Sequence, residues 1–199
     1  MKQRLKNGKQ SLITVMITTV LCFAGYANAD RASHLIDNFC DATLTKFGQP
    51  RQFLNDTVAG GTTHAVQQVK NCKFKASGDI TPPRGQPGWA SSVLPLASYG
   101  EALDVSEFAG IRLLIKVLKG NISLSANSTE VSNFDYHAAP VVVKTDGRFH
   151  EVKVPFAQMK RAWSEQTPLN TATINSLSVV AYDLQPDKFE FELDEVSFY

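Results

Sequence analysis

The chain has 199 residues, with 20 Lys and Arg against 19 Asp and Glu, for a formal net charge of +1 at pH 7. Four of those bases and none of the acids fall in the first 29 residues, which leaves sixteen basic and nineteen acidic side chains in the rest. So mixed a balance excludes the basic stripe of a nucleic-acid binder, and after residue 25 no apolar run approaches the length of a membrane span.

In chain order, Lys2, Arg4, Lys6 and Lys9 precede an almost uncharged apolar run of fourteen residues, Leu12 to Gly25, and then Ala27-Asn28-Ala29. A positive leader, a short apolar stretch and a small-x-small site make a secretory signal peptide. A bilayer span needs about 20 residues, so an uncleaved anchor is the alternative that length disfavours. Cys22 follows Leu21 where a lipoprotein signal places a small residue, which argues against a lipid anchor. The expectation is a cleavable signal over 1–29 and one domain over 30–199, periplasmic or secreted, with enough residues for a full hydrophobic core.

Cys40 and Cys72 then remain. In an oxidising compartment an isolated pair forms a disulfide or stays as two buried thiols, and neither lies in a CxxC redox motif. A bridge closing a loop of about 30 residues would stabilise the fold by roughly 3 kcal/mol.

Nearly every further segment alternates with the period of a strand. Candidates are Ile36–Phe39, His64–Ala76 and Trp89–Leu96. Next comes the stretch where Ile111, Leu113, Ile115 and Val117 alternate with Arg112 and Lys116. Asn121–Ala126 follows, then Val152, Val154 and Phe156 against Glu151 and Lys153. Leu177, Val179 and Ala181 form another run, and Phe189, Phe191 and Leu193 alternate with Glu190 and Glu192. Turn signals separate them, and Lys119-Gly120-Asn121 reads as a tight hairpin. Only Ala157–Ser164 suggests a helical turn, ended by Pro168. About eight strands without partner helices predict an all-β antiparallel sandwich, a jelly roll. The buried phase moves from Leu193 to Val196 and Phe198, which predicts a β-bulge around Asp194-Glu195.

Four segments carry a resemblance. Asn55-Asp56-Thr57-Val58-Ala59-Gly60-Gly61-Thr62 is similar to an N-D-x-V-M-G-G-x-S signature, and Gly88-Trp89-Ala90-Ser91-Ser92 to a G-F-A-S strand. Gly147 to Phe156 with Trp163 matches a W-x-x-V-x-V-P-F strand and the turn after it. Phe189 to Tyr199 matches F-x-L-E-I-D-x-I-x-F-Y. In this order they resemble the complex I intermediate-associated protein 30 family, of the galactose-binding-like jelly rolls. The resemblance implies a role in assembling respiratory complex I, or kinship with carbohydrate-binding modules that often hold a structural calcium. An exported chain would lie across the membrane from the redox arm of complex I, which favours the second implication.

Candidate site residues follow. Asp135, Tyr136 and His137, with Phe134 before and Trp163 after, combine aromatic rings with hydrogen-bonding groups, as sugar sites require. The alternative is a half-buried core edge. Asn55 and Asp56 with Gly60-Gly61 are either a loop beside a ligand groove or an Asx-turn at a glycine corner. Asp37 and Asp194, with Asp56, could supply oxygen ligands to calcium, the one cofactor the resemblance implies. Catalysis has little basis. His34, His64, His137 and His150 lack metal spacing, and no G-x-S-x-G elbow is present. Glu190 and Glu192, about 7 Å apart along one strand, read as a solvated face rather than a hydrolase pair. The expected protein is an exported, monomeric, non-enzymatic binding module for a glycan or envelope protein. An assembly factor is the alternative, and a glycan hydrolase comes last.

Overall fold

The computed structural model describes residues 35–199; the expected signal peptide, the expected start at Asp30 and His34 lie outside the described residues. Twelve strands run in chain order: β1 (Leu35–Asp37), β2 (Gln52–Asn55), β3 (His64–Lys70), β4 (Lys73–Ile80), β5 (Gly88–Pro95) and β6 (Gly110–Lys119). They continue with β7 (Asn121–Ser128), β8 (His137–Pro140), β9 (His150–Pro155), β10 (Lys160–Arg161), β11 (Ile174–Asp183) and β12 (Asp187–Phe198). All pairings are antiparallel. One sheet has the order β3-β4-β12-β6-β9, with β1 added to β12, and the other the order β10-β8-β7-β11-β5-β2. The fold is therefore the expected all-β sandwich. Among the described residues no helix is long and apolar enough to cross a membrane.

The inner faces meet as the period-two pattern requires. Ile111, Leu113, Ile115 and Val117 of β6, with Phe191 and Leu193 of β12, pack in the same core as Leu177, Val179 and Ala181 of β11 and Ile122, Leu124 and Ala126 of β7. Each of these side chains is buried, so the apolar phase of each strand marks its inner face.

The predicted bulge is present. The β12–β6 register shifts between Leu193 and Glu195, leaving Asp194 unpaired. It sits where β12 changes neighbour, since β4 pairs with it up to Leu193 and β1 from Val196.

Three local expectations are corrected. Lys119-Gly120-Asn121 is no hairpin: β6 and β7 belong to different sheets, and Gly120, at φ 93°, turns the chain across the sandwich. A Gly-centred turn between two alternating runs looks the same locally in both cases. The run His64–Ala76 is two strands, folded back at Asn71 and Cys72, both with φ 54°, as a two-residue hairpin turn demands. Finally, the helical turn expected over Ala157–Ser164 is a shorter 3-10 turn at Phe156–Gln158, after which the chain enters β10.

Cys40, just after β1, is disulfide-bonded to Cys72 in the β3–β4 turn, 32 positions away. The bridge fastens the first strand to the edge hairpin and is worth roughly 3 kcal/mol by loop closure.

Candidate functional site

The outer faces of the two sheets differ in chemistry. On the β12 sheet, charges alternate with core residues and pair across strands: Lys116 with Glu192 at 2.8 Å, Lys119 with Asp187 at 2.9 Å and Arg112 with Glu151 at 3.0 Å. Lys75–Glu190 and Arg112–Glu195 add two more pairs, and Lys73 meets Asp194 at 3.1 Å. The hydrogen bond to Glu190 raises the Lys75 pKa. Opposite charges on neighbouring strands satisfy each other, so this face is compensated internally. Glu190 and Glu192 are thus members of a charge lattice.

The β11 sheet turns a different surface outward. Register places Trp89, Tyr182 and Asn121 side by side across β5, β11 and β7. One step along the strands come Leu54, Ser91, Val180, Ser123 and Pro140, and then Gln52, Val93, Ser178, Ser125 and Ala138. Pro95, Ser176 and Asn127 follow. Among the described residues, none of these outward positions is charged. Ser91, Ser125 and Ser178 face out yet are only 7%, 2% and 6% exposed, sunk between taller neighbours. Asn127 Nδ2 donates to the hydroxyls of Ser176 at 3.0 Å and Ser178 at 3.2 Å. From Ser176 to Tyr182 the floor runs about 20 Å along the strand direction.

Aromatic rings stand at both ends. Trp89 and Tyr182 mark one. At the other, Tyr136 shares the outward phase of Ala138 and Pro140, and Trp163 meets its ring edge-on at 5.3 Å between centroids while staying 60% exposed. Burial, and after it the charge of Asp135, raise the Tyr136 pKa. Such a surface offers apolar ring faces for the CH faces of a sugar and neutral hydroxyl and amide groups for its hydroxyls.

Of the residues singled out in the sequence, the structure brings Asp135, Tyr136 and Trp163 together and turns His137 away. The buried Asp135 carboxylate accepts from the backbone N–H groups of Tyr136 at 2.8 Å, Ala162 at 3.0 Å and Ser164 at 3.0 Å. The Arg161 Nε at 2.9 Å and the Ser164 hydroxyl complete the set. Burial opposes its ionisation, but these donors outweigh it and hold the carboxyl well below the usual carboxylate range. With its lone pairs committed, Asp135 builds the loop that carries Tyr136 and Trp163 and is not left to meet a ligand. The next ring along, Phe134, stands 93% exposed at φ 61°. His137 is buried on the inner side, its Nε2 2.8 Å from the Thr167 carbonyl.

A pH test follows. The folded-state pKa of Asp135 is depressed, so its contribution is full above the unfolded value near pH 4 and is lost as pH falls toward the folded value. Asp135→Asn is expected to cost about 2–4 kcal/mol at pH 7, and the gap to wild type to narrow by about 1 kcal/mol at pH 3. Urea unfolding at both pH values measures this, and an unchanged gap refutes it.

Asn55 caps the 3-10 turn Asp56–Ala59, accepting from the Thr57 N–H at 3.2 Å. Asp56 is buried and accepts from Thr63 N at 2.9 Å, Thr63 Oγ1 at 2.6 Å and Trp89 N at 3.2 Å. The pair is thus the corner of the Asx-turn reading, and through Trp89 it also sets one end of the aromatic face.

The calcium set does not assemble. Both oxygens of Asp37 are taken by Arg51, at 2.6 and 2.9 Å, and Asp194 is paired with Lys73. Among the described residues no group of three His, Cys, Asp or Glu side chains converges as a metal site would require. A cation already sits where Asp37 would bind one.

Sequence reasoning missed Trp89, Tyr182 and the serine floor as a site. The available signal was serine and asparagine alternating with apolar residues in β7 and β11, where β6 and β12 alternate with lysine and glutamate. A separate apolar cleft of about 630 Å³ opens between the 3-10 turn after β9 and residues 166–171. Of its polar members, Gln166 and Thr167 are already bonded to Arg161 and His137.

Solved structures share the fold. The family 11 carbohydrate-binding module of the cellulosomal cellulase Lic26A-Cel5E of Clostridium thermocellum is similar in fold, with TM-score 0.56 and 15% identity, over 82% of this chain and 92% of that one. The solution structure of CtCBM11 gives TM-score 0.53 at 14% identity over the same shares. An agarase, AgWH50C, aligns at TM-score 0.55 and 8% identity over 82% of this chain but 26% of its own. No curated protein sequence matches the chain. The profile of one family does match, over residues 45–193, and it is the family that the four sequence segments resemble. The chain belongs to the complex I intermediate-associated protein 30 family.

Proposed function

We propose that the protein is an exported, non-catalytic binding module that holds a neutral polysaccharide along the outer face of the β11 sheet. The observation that carries this reading is the contrast between the two faces: one closed by paired charges, the other with an uncharged, hydroxyl-rich floor bounded by aromatic pairs, its charge confined to Lys160 on the edge strand β10. A chain of sugars lying along the strands would stack on Trp89–Tyr182 and Tyr136–Trp163 and exchange hydrogen bonds with Ser91, Ser123 and Asn127 between them. The fold it shares with carbohydrate-binding modules supports the reading, and the Cys40–Cys72 bridge supports an oxidising compartment, periplasmic or extracellular. The face presents no carboxylate pair in reach of a glycosidic bond, so binding is proposed without hydrolysis.

Affinity gel electrophoresis against a panel of neutral polysaccharides tests it. At least one polymer is expected to retard the protein, and Trp163→Ala to weaken that retardation while leaving the unfolding curve within about 1 kcal/mol of wild type, since the ring is mostly exposed. No retardation by any polymer refutes the glycan reading. A defined polypeptide captured from native envelopes and not displaced by polysaccharide would support the assembly role in the family's name instead.

A further inference from the structure

The loop between β1 and β2 gathers four oxygen atoms around one guanidinium. Arg51 Nε donates to Asp37 Oδ2 at 2.6 Å, and Nη2 donates to Asp37 Oδ1 at 2.9 Å, the Asp41 carbonyl at 3.0 Å and the Leu44 carbonyl at 2.8 Å. The chain is shaped to make them converge. Asp41 Oδ1 accepts from the N–H groups of Thr43 at 2.8 Å and Leu44 at 2.7 Å, and the Arg51 N–H closes the loop on the Thr43 carbonyl at 2.9 Å. One carboxylate and two main-chain carbonyls are the donor set of a hard cation, which takes oxygen ligands from carboxylate, backbone and water alike. The guanidinium fits it imperfectly. Its third nitrogen, Nη1, is buried without a hydrogen-bond partner among the described residues, which a site built for a planar five-donor fork would not leave.

We infer that Arg51 is a resident cation: its guanidinium fills an oxygen cradle of divalent-cation type, and taking it away turns the cradle into a calcium site. The cradle joins the end of β1 to the start of β2, so its occupant holds the first strand against β12. A covalently attached cation does this without free metal, and the fold keeps its first strand in chelating surroundings. Without the side chain, the two Asp37 oxygens and the carbonyls of Asp41 and Leu44 supply four ligands, and the vacated volume admits the waters that complete a shell of six to eight. Three of the oxygens surround Nη2 and the fourth, Asp37 Oδ2, faces Nε, so a calcium ion near the Nη2 position would draw in Asp37 as a bidentate ligand.

Thermal unfolding of the full exported chain tests this. Wild type is expected to melt at one temperature in EDTA and in millimolar calcium. Arg51→Ala is expected to melt lower in EDTA and to regain about 5–10 °C when calcium reaches a hundredfold excess over its dissociation constant, with a smaller gain in magnesium. Adding Asp37→Asn to Arg51→Ala should abolish the calcium response. An Arg51→Ala protein that folds only with calcium present supports the inference. A calcium shift in wild type overturns it. So does an Arg51→Ala protein that behaves alike in calcium and EDTA, including one unfolded in both, since Arg51 would then act only through its own ion pair and the stacking of its guanidinium over the Phe39 ring, 5.2 Å from the centroid.

Discussion

Asp56→Ala is expected to lower the unfolding free energy by about 3–5 kcal/mol and the melting temperature by about 10 °C, the largest loss of stability of any substitution discussed. The side chain is buried, and three donors end on it: the Thr63 N–H, the Thr63 hydroxyl and the Trp89 N–H. Each donor is part-buried or buried, so removing the acceptor strands them rather than returning them to water. The affected joint unites three places in the chain: the 3-10 turn after β2, the approach to β3 and the start of β5. Gly61 offers an independent check. A methyl group there would meet the Asp56 carboxylate, at 2.3 Å from Cγ and 2.4 Å from Oδ1, so Gly61→Ala should reproduce much of the loss by pushing the acceptor off its donors. Urea unfolding measures both. Since the total for a domain is about 5–15 kcal/mol, the alanine variant is expected near the edge of folding at physiological temperature. If Asp56→Ala costs under about 1 kcal/mol, the corner is held by something other than this carboxylate.

What was legible in the sequence follows the range of the interactions concerned. Alternation in Ile111–Val117 and Phe189–Leu193 is local, and it marked inner faces and the bulge at Asp194 correctly. The partner of a strand is not local. Gly120 satisfies the same turn chemistry whether the next strand pairs with the last or crosses to the other sheet, so the hairpin reading of Lys119-Gly120-Asn121 had nothing to contradict it. Asp135 sits among aromatics as a sugar-binding acid would, but donors 26 to 29 positions away, in Arg161, Ala162 and Ser164, take up its oxygens. Trp89 and Tyr182 are neighbours only through the β5–β11 register, and no spacing along the chain announces it. Arg51 likewise reads as one more surface base until the turn at Asp41 aims two carbonyls at it.

The second large effect concerns binding. Tyr136→Ala combined with Tyr182→Ala is expected to weaken polysaccharide affinity by about a thousandfold. A ring that covers about 80 Å² of sugar CH surface contributes near 2 kcal/mol, roughly a thirtyfold change, and the two rings stand at opposite ends of the floor, where their losses should add. Binding should also be insensitive to salt and nearly flat across neutral pH. Between its aromatic ends the floor carries no charge to screen, Lys160 lying on the edge strand β10, and burial already holds the Tyr136 phenol protonated. The β12 face supplies the control. Lys75→Gln with Glu190→Gln removes an exposed ion pair and should leave affinity unchanged at a cost of about 0–1 kcal/mol in stability. Isothermal titration of the two double variants separates the faces directly. Binding lost from the lattice variant and kept by the tyrosine variant would move the site to the charged sheet. A steep salt dependence in wild type would point to a charged partner, because a neutral chain lying on serine, asparagine and aromatic rings releases no counterions when it binds.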